Sequence, residues 1–386
     1  MSDTITLTFT GDIGFDKYME GRWEDDDLLS PEVAAFLKDT DSLIVNVEGP
    51  LYKKTYDVNE PSDNLYHSMD PGVASFLQKM GADIWNICNN HIMDAGPEGI
   101  KSTLDIAAAS GAKTLGAGMD LEAASAPLFI DAAGGIGMIG VGYQRACRKA
   151  GDTTPGCFSW SDLDLIRKRI EQIKSTCRWA IVVAHAGEEF TALPSPYTRD
   201  RYLAYLDMGA DIVIAHHPHV VNNYELFGSK AIFYSLGNFI FDTDYQRSQM
   251  YTEYGMLLKL RLDRETFSFE PMGIKVDRTC GRIVSCDAPP VFCDVQKDDY
   301  DLLEALAAKV LIENTKRQLR YLRPKDFENA TEEDFVRNFY EPLRSGRVPK
   351  ETLDMQIIYP LSQTFDIKKA RSCGLTRLVD YMLSQI

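Results

Sequence analysis

The sequence predicts an α/β fold with a partly parallel sheet, on the basis of three observations. β-rich runs alternate with segments of helical pattern over the first two thirds of the chain. The helical segments carry boundary signals: Ser30 and Asp70 precede prolines as N-caps, and Gly81 and Gly111 close helices. The longest apolar runs, such as WAIVVAHAG, have the length of a strand and are too short to span a bilayer. Together these observations indicate parallel strands joined by crossover helices.

The individual elements follow in chain order. Strands are predicted in TITLTF, SLIVNVEG, ADIWNICNN, KTLGAG, the hairpin PLFIDAAGGIGMIGVG, WAIVVAHAG, DIVIAHH, AIFYSLGNFIFD and YGMLLKLRLDRETFSFEPMGIKV. Helices are predicted in SPEVAAFLKDT, DPGVASFLQKMG, GPEGIKSTLDIAAASG, SDLDLIRKRIEQIKST with Ser161 as its N-cap, and TRDRYLAYLDMGA. After about residue 276 the helical segments DDYDLLEALAAKVLIENTKRQL, EEDFVRNFYEPL and GLTRLVDYMLSQI dominate. We therefore predict a main domain over residues 1–275 and a helical extension over 276–386 packed on it.

The bulk composition limits the classes of function. The 386 residues are 45% hydrophobic, which is enough for a large core. A net charge of −16 and a pI of about 4.9 argue against nucleic-acid binding, which needs a basic surface. The N-terminal MSDTITLTFTGD lacks the features of a signal peptide, so we expect a cytoplasmic protein without an integral membrane segment. The 8 cysteines form no CxxC pair, a pattern typical of reduced thiols rather than a zinc ribbon.

Side chains able to bind a metal follow several of the predicted strands, and they include five of the 6 histidines. They are Asp12, Glu48, Asn90, His91, His185, His216, His217 and His219. Ligands of open α/β sheets bind beyond the carboxyl ends of the strands, so these side chains should meet in one crevice. Carboxylate, amide and imidazole groups are ligands of divalent metals. The sequence therefore predicts a centre for one or two divalent ions, which can hold a phosphoryl group and activate water.

The alternation of side chains in an extended chain predicts which residues face this centre. Residues i and i+2 point the same way, so His217 and His219 should face the metal while His216 faces elsewhere. By the same reasoning, either Asn46 or Glu48 should reach the centre.

Each position also has a structural explanation when it is taken alone. Asp12 could be a turn residue, Glu48 a solvated strand end, and Asn90 an Asx-turn or a helix N-cap. Their joint occurrence after apolar strands favours the metal centre. His67, in NLYHSMDP, is assigned to a structural or loop position.

Six segments in fixed order carry a resemblance to a known family. They are FTGDIGFDKYM, DSLIVNVEGPL, NICNNHIMDAGPEGI, VVAHAGEEF, GADIVIAHHPHVV and IFYSLGNFIFD, and they span roughly residues 5–245. This series resembles the CapA family of bacterial capsule and poly-γ-glutamate synthesis proteins, which is similar to the calcineurin-like metallophosphoesterases. The resemblance implies a four-layer α/β/β/α sandwich with a metal centre at one sheet edge. It does not cover the last 110 or so residues.

The resemblance also implies a role for each matched residue. The metal ligands would be Asp12, Glu48, Asn90, His185, His217 and His219. The catalytic residues would be His91, the proton donor to the leaving group, and Asn90, with Asn46 and Asn238 supporting the ligands. Gly14 stands where the phosphoesterase pattern has a histidine, so one ligand is missing and one of two metals would be held weakly or not at all. Asp16 or a water could fill the gap.

The function that follows is hydrolysis of a phosphoester by metal-bound hydroxide, with Mn, Fe or Zn as the ion. His216, Arg199 or Arg201 could add positive charge for a small-molecule or polymeric anionic substrate, although a solvated helix face would also explain the arginines. Two alternatives stay open. One is a non-hydrolytic accessory protein in capsule or poly-γ-glutamate synthesis or export, and the other is a metal-dependent hydrolase of a non-phosphate ester or an amide.

Overall fold

Two β-sheets packed face to face, with helices on both outer surfaces, form the frame of the molecule. The computed structural model describes residues 3–53, 66–142, 147–335, 337 and 365–386. One apolar cluster joins residues of both sheets, including Phe9, Ile44, Met138 and Val183. Two further clusters lie between each sheet and its own helices. The predicted four-layer α/β/β/α arrangement is therefore confirmed.

The elements have the following bounds. The strands are β1 (Ile5–Gly14), β2 (Ser42–Val47), β3 (Ala82–Asn86), β4 (Lys113–Leu115), β5 (Ala117–Gly118), β6 (Leu128–Ile130), β7 (Ile136–Gly142), β8 (Gly156–Cys157), β9 (Trp179–His185), β10 (Ile212–His216), β11 (Tyr224–Phe227), β12 (Lys230–Phe233), β13 (Asn238–Phe241), β14 (Tyr254–Leu262), β15 (Phe267–Asp277) and β16 (Arg282–Cys286). The helices are α1 (Pro31–Lys38), α2 (Val73–Met80), α3 (Gly96–Ala109), α4 (Leu121–Ser125), α5 (Leu163–Lys174), α6 (Pro196–Asp207), α7 (Asp244–Arg247), α8 (Lys297–Leu322), α9 (Pro324–Phe327), α10 (Glu332–Phe335), α11 (Ile367–Ser372) and α12 (Thr376–Leu383).

The strand order brings two sets of parallel strands to one edge of the sandwich. The first sheet has the order β16-β15-β14-β1-β2-β3-β4, with β13 paired to β1, and the second has the order β11-β12-β10-β9-β7-β6. Strands β13, β1, β2, β3 and β4 run parallel, as do β7, β9, β10 and β12. The carboxyl ends of both parallel sets carry the candidate ligands.

The helix boundaries agree with most of the predicted signals. Ser30 caps α1 by accepting a hydrogen bond from the Val33 amide, and Gly81 ends α2 in the left-handed region at φ 82°. The N-cap of α5 is Asp162, which accepts from the Leu165 amide, and the prediction of Ser161 was wrong by one residue.

The prediction of Asp70 as the N-cap of α2 was also wrong. The Asp70 carboxylate accepts from the Gly72 amide at 2.8 Å, and α2 begins one residue later, at Val73. An Asx-type turn therefore precedes the helix instead of a side-chain cap.

The C-terminal helices share the core between the sheets. The first sheet continues through β16, past the predicted boundary at residue 275, before the 26-residue α8 begins. Leu303, Leu306 and Val310 of α8 lie in one apolar cluster with Val379 of α12 and the inner faces of both sheets. The part of EEDFVRNFYEPL beyond α10 lies outside the described residues. Among the described helices, none has the length and hydropathy needed to cross a membrane.

This shared core leads to a prediction for stability. Replacing Leu306, which is fully buried, with alanine should lower the free energy of unfolding by about 2–5 kcal/mol, because it removes buried methyl groups and leaves a cavity. Urea unfolding followed by circular dichroism measures the change. Met119→Ala, at a side chain that is 39% exposed, is the control and should change it by no more than about 0.5 kcal/mol. Equal small effects for both variants would show that α8 is not part of the main core.

Candidate metal centre

Neighbouring strands place polar side chains side by side at the sheet edge. In the first sheet, the register aligns Asn86, Asn46, Asp12 and Asn238 across four parallel strands. In the second sheet, His185 is aligned with His216. The two polar rows come together between the sheets, so the structure brings residues from distant parts of the chain into one buried site.

Glu48 lies at the middle of this site. Its Oε1 is 3.5 Å from His219 Nε2, 3.6 Å from His185 Nε2 and 3.8 Å from His91 Nε2. The carboxylate is fully buried, and neither oxygen has a hydrogen-bond partner in the described part of the chain. Burial raises the pKa of Glu48 well above its usual value. A buried carboxylate without donors is costly unless a cation neutralises it, so this residue fits a metal ion.

Asp12 forms the second acidic position. Its Oδ1 accepts a hydrogen bond of 2.8 Å from Asn46 and lies 3.5 Å from His216 Nδ1, and its Oδ2 lies 3.4 Å from His219 Nδ1. Burial raises the pKa of Asp12, but hydrogen bonds and charge from His216 and His219 outweigh burial and hold the pKa far below its usual range. The carboxylate is therefore ionised and available to a cation.

Two overlapping groups of side chains can each hold a metal ion. One consists of Glu48, His217 and His219, and the other of Asp12, Glu48 and His185, with ligand atoms within 4.8 Å of one another in each group. Glu48 belongs to both groups. Asn90 Oδ1 lies 2.8 Å from His185 Nε2, which places the predicted amide ligand beside the second group. All of these donors are oxygen or imidazole nitrogen, the set that suits divalent transition metals.

The histidines of the site differ in protonation. Burial, together with the nearby His217, lowers the pKa of His185 well below its usual value, and burial lowers the pKa of His217 to about 4. Both rings are therefore neutral and have a lone pair for a metal. Burial also lowers the pKa of His219, but the charges of Glu48 and Asp12 outweigh it and raise the pKa to about 10. The His219 ring is therefore protonated near neutral pH when no metal is bound.

Asparagines orient the rings from behind. Asn238 Oδ1 lies 3.0 Å from His219 Nδ1, and its amide group donates to Gln246 and to the Thr252 carbonyl. The Asn46 amide lies 3.3 Å from His185 Nδ1. Partners of this kind fix the ring orientation and leave Nε2 of each histidine directed at Glu48.

Comparison with known families adds to this geometry. Residues 6–243, more than half of the chain, match the family described as bacterial capsule synthesis protein PGA_cap. The chain belongs to this family. The resemblance to CapA proteins that was predicted from six sequence segments is thereby confirmed.

Two curated relatives of this PGA_cap protein are named for capsule or polymer biosynthesis. "PGA biosynthesis protein CapA" of Bacillus subtilis is 30% identical over 253 residues, which cover 64% of this chain and 66% of the relative. "Capsule biosynthesis protein CapA" of Bacillus anthracis is 28% identical over 261 residues, which cover 64% of this chain and 62% of the relative. The chain therefore spans slightly less than two thirds of the length of either relative.

Among solved structures, the 5'-nucleotidase of Candida albicans aligns with 70% of this chain and 52% of its own, at a TM-score of 0.41 and 13% identity.

The histidine cluster of this PGA_cap protein departs from the predicted alternation. Strand β10 ends at His216, and the next histidines adopt left-handed backbone conformations, with φ 97° at His217 and 57° at His219. The segment is a strained turn and not an extended strand, so the i, i+2 rule does not apply. The prediction that His216 faces elsewhere was wrong, because its Nδ1 lies beside Asp12 and has no hydrogen-bond partner in the described residues.

The position of the missing histidine is filled by another ring. A Cβ atom on Gly14 would lie 2.4 Å from the ring of Phe241, so no side chain fits there. Asp16 does not replace the ligand either, since its carboxylate is hydrogen-bonded to His67. The imidazoles beside Asp12 come from the second sheet: His219 Nδ1 lies 3.4 Å from Oδ2, and His216 Nδ1 lies 3.5 Å from Oδ1.

The two arginines predicted to bind substrate make other contacts. Arg199 forms a bidentate ion pair with Glu225, at 2.6 and 2.7 Å, and lies over the ring of Tyr300. Arg201 donates to the Tyr197 hydroxyl and lies over Trp160. These contacts hold α6 against its neighbours, and neither guanidinium contacts the centre in the described structure. The substrate role of the two arginines stays a prediction.

The sequence reasoning missed two residues at the site. Asp94 Oδ2 lies 2.7 Å from His91 Nδ1, which leaves His91 Nε2 facing Glu48. The spacing of three residues in HIMD could have indicated this pair. His67 lies edge-on to His91, with ring centroids 4.1 Å apart, although nothing in its loop sequence indicated a functional position. Burial, and then the charge of His67, lowers the pKa of His91 well below its usual value.

Helix α8 is linked to the centre through Phe190, a residue of the loop after β9. The Phe190 ring stacks on His219 at 5.8 Å between centroids, and its backbone is left-handed at φ 61°. The buried Asn314 of α8 donates a hydrogen bond to the Phe190 carbonyl. A residue outside the PGA_cap match therefore holds a strained residue that packs on a candidate ligand.

Metal uptake should release a proton. The imidazole of His219 has a pKa of about 10 in the metal-free protein, and it must be neutral to bind a metal. Below this pKa the apparent affinity for Mn²⁺ should therefore rise about tenfold per pH unit. Titration calorimetry in buffers with different ionisation enthalpies measures the released proton. Uptake without proton release, or His219→Gln binding Mn²⁺ as tightly as wild type, would contradict the assignment of His219.

The contact between α8 and Phe190 should affect metal affinity. Asn314→Leu keeps a side chain branched at Cγ but removes the donor to the Phe190 carbonyl, which should weaken Mn²⁺ binding by about tenfold or more. Asn329→Leu, at an exposed position of the same C-terminal region, is the matched control and should bind Mn²⁺ like wild type. Equal affinity of Asn314→Leu and wild type would rule out this link.

Proposed function

We propose that this PGA_cap protein is a metal-dependent hydrolase of the calcineurin-like phosphoesterase type. The observation that carries the proposal is Glu48, a fully buried carboxylate to which no described residue donates a hydrogen bond. Imidazole nitrogens surround it at the carboxyl ends of strands from both sheets. Such an arrangement is stable with a cation and unfavourable without one. A structural ion pair would have a charged partner for Glu48. Here the neighbouring groups include neutral imidazoles, which are metal ligands, so the arrangement resembles a metal site that activates water.

The proposed metal ligands are Asp12, Glu48, Asn90, His185, His217 and His219. When bound, one or two divalent ions of the Mn, Fe or Zn type supply positive charge to the substrate oxygens and lower the pKa of a water. His216 adds an imidazole beside Asp12, with its Nδ1 3.5 Å from the carboxylate. With Arg199 and Arg201 engaged in other contacts, the positive charge that an anionic substrate needs would come from the bound metal.

His91 is the proposed proton donor to the leaving group. Asp94 accepts a hydrogen bond from His91 Nδ1 and fixes the ring, so that Nε2 is the atom that exchanges a proton with the substrate. Burial lowers the pKa of His91 and keeps the free ring neutral, so Nε2 takes up the proton that it passes to the leaving oxygen once the anionic substrate is bound. Nε2 lies 3.8 Å from Glu48 Oε1, at the border of the proposed metal site. A leaving oxygen bound next to the metal would therefore lie within reach of His91.

Accessory action in capsule or poly-γ-glutamate synthesis is the second candidate, and the biosynthesis names of the curated CapA relatives favour it. It differs from the first in one testable respect. In a deletion strain, a non-hydrolytic accessory protein would restore polymer yield with His91→Ala as well as with wild type. Hydrolysis of a non-phosphate ester or an amide by the same centre would be seen as turnover of those substrates and not of phosphoesters.

The hydrolase proposal predicts activity that depends on the metal and on His91. Metal-stripped protein given Mn²⁺, Fe²⁺ or Zn²⁺ should cleave chromogenic phosphomonoesters or phosphodiesters, and His91→Ala should lower kcat by about 10²–10⁴-fold, as expected for loss of a general acid. Asp94→Asn should lower kcat less, while Asp105→Asn, at a side chain that is 66% exposed, is the control and should not change it. If no metal restores turnover and His91→Ala behaves as wild type, the proposal is wrong.

A further inference from the structure

A second pair of histidine and carboxylate lies directly beside His91 and Asp94. His67 Nδ1 is hydrogen-bonded to Asp16 Oδ2. The His67 backbone amide donates to Asp94 Oδ2 at 2.9 Å, and the same oxygen accepts from His91 Nδ1 at 2.7 Å. Asp94 therefore links the two histidines, and each ring is held at Nδ1 by its own carboxylate.

The rings of the two histidines are in contact. Their centroids are 4.1 Å apart and their planes are nearly perpendicular, at 84°. His67 also packs edge-on against Phe241 at 5.0 Å, and Phe241 packs on His219 at 5.1 Å. His67 thus lies at the edge of the candidate centre. It contacts the proposed proton donor, His91, on one side and Phe241, which packs on the proposed ligand His219, on the other.

Three separate segments assemble this edge of the centre. Asp16 follows β1, His67 precedes α2, and His91 follows β3. The His67 side chain is only 8% exposed, and that of Asp16 is 20% exposed. Burying an imidazole and a carboxylate together costs desolvation free energy, which an apolar pair at the same place would not cost. The free atom of the pair is His67 Nε2, for which the described residues provide no hydrogen-bond partner.

We propose that His67, held by Asp16, forms with His91 a subsite for the leaving group of the substrate. His91 gives the proton to the leaving oxygen, and His67 Nε2 hydrogen-bonds to a second oxygen on the same leaving group. The preferred substrates are then phosphoesters of polyhydroxy alcohols, in which a hydroxyl neighbours the ester oxygen. This inference rests on the hydrolase function proposed above and concerns which phosphoesters the site selects.

A paired substrate tests the subsite. Glycerol 1-phosphate carries a hydroxyl next to the ester carbon, and propyl phosphate lacks it. A site that hydrogen-bonds this hydroxyl should favour glycerol 1-phosphate by at least about tenfold in kcat/KM, because the analogue leaves His67 Nε2 unpaired. His67→Phe keeps a ring against His91 but has no nitrogen, so it should abolish the preference. His67→Gln keeps a polar amide and should retain part of it, and Asp16→Asn should reduce it.

The controls separate this subsite from a structural role. Asp26→Asn, at a side chain that is 94% exposed, matches Asp16→Asn in chemistry and should keep the wild-type preference. Melting temperature and Mn²⁺ content show whether each variant keeps its fold and its centre. A folded His67→Phe that loses activity equally on both esters would overturn the subsite, since that result shows a ring that only positions His91.

The outcomes also separate this proposal from the hydrolase function. Wild-type protein that hydrolyses both esters without preference would overturn the subsite alone. Wild-type protein that cleaves no phosphoester with any metal would overturn the hydrolase proposal and the subsite with it.

Discussion

The buried carboxylate of Glu48 is the constraint around which the rest of the site is organised. A charge in this position, without donors of its own, would be destabilising by several kcal/mol unless a cation compensates it. The charge of Glu48 raises the pKa of His219, whereas burial lowers the pKa of the neighbouring His185. The two sheets converge at their carboxyl ends, and this convergence is what brings imidazoles from the second sheet to an acid of the first.

The pairing of parallel strands positions most of the candidate ligands. Hydrogen-bond register across four strands aligns Asp12 with an asparagine on each side, so the orientation of the carboxylate follows from backbone pairing. The rings of the second sheet are placed in the same way by the pairing of His185 with His216. The turn after β10 has left-handed backbone angles at His217 and His219, and Phe190, itself left-handed, packs on it with Asn314 bonded to its carbonyl.

Residues at strand ends could be predicted from sequence because the topology alone places them. Asp12, Glu48 and His185 each follow an apolar run, and the fold class was enough to group them. His216 ends the extended strand β10 and pairs with His185, so strand alternation places it on the inner face with Ile214. The letters HHPH do not indicate the left-handed backbone angles of His217 and His219, and the orientation of these two rings could not be predicted for that reason. His67 could not be predicted either, because it reaches the site from a loop whose path is set by contacts with Asp16 and Asp94 and not by any periodic pattern.

The contact between Gly14 and Phe241 limits how this centre can change. The ring of Phe241 occupies the space of any side chain at position 14 and also packs on His219 and His67. A histidine introduced at position 14 alone would collide with the ring, and removal of the ring alone would leave two imidazoles without their packing surface. The two positions are therefore coupled: a histidine at position 14 needs a smaller side chain at position 241 in the same protein, and that change would have to be balanced by new packing against His219 and His67.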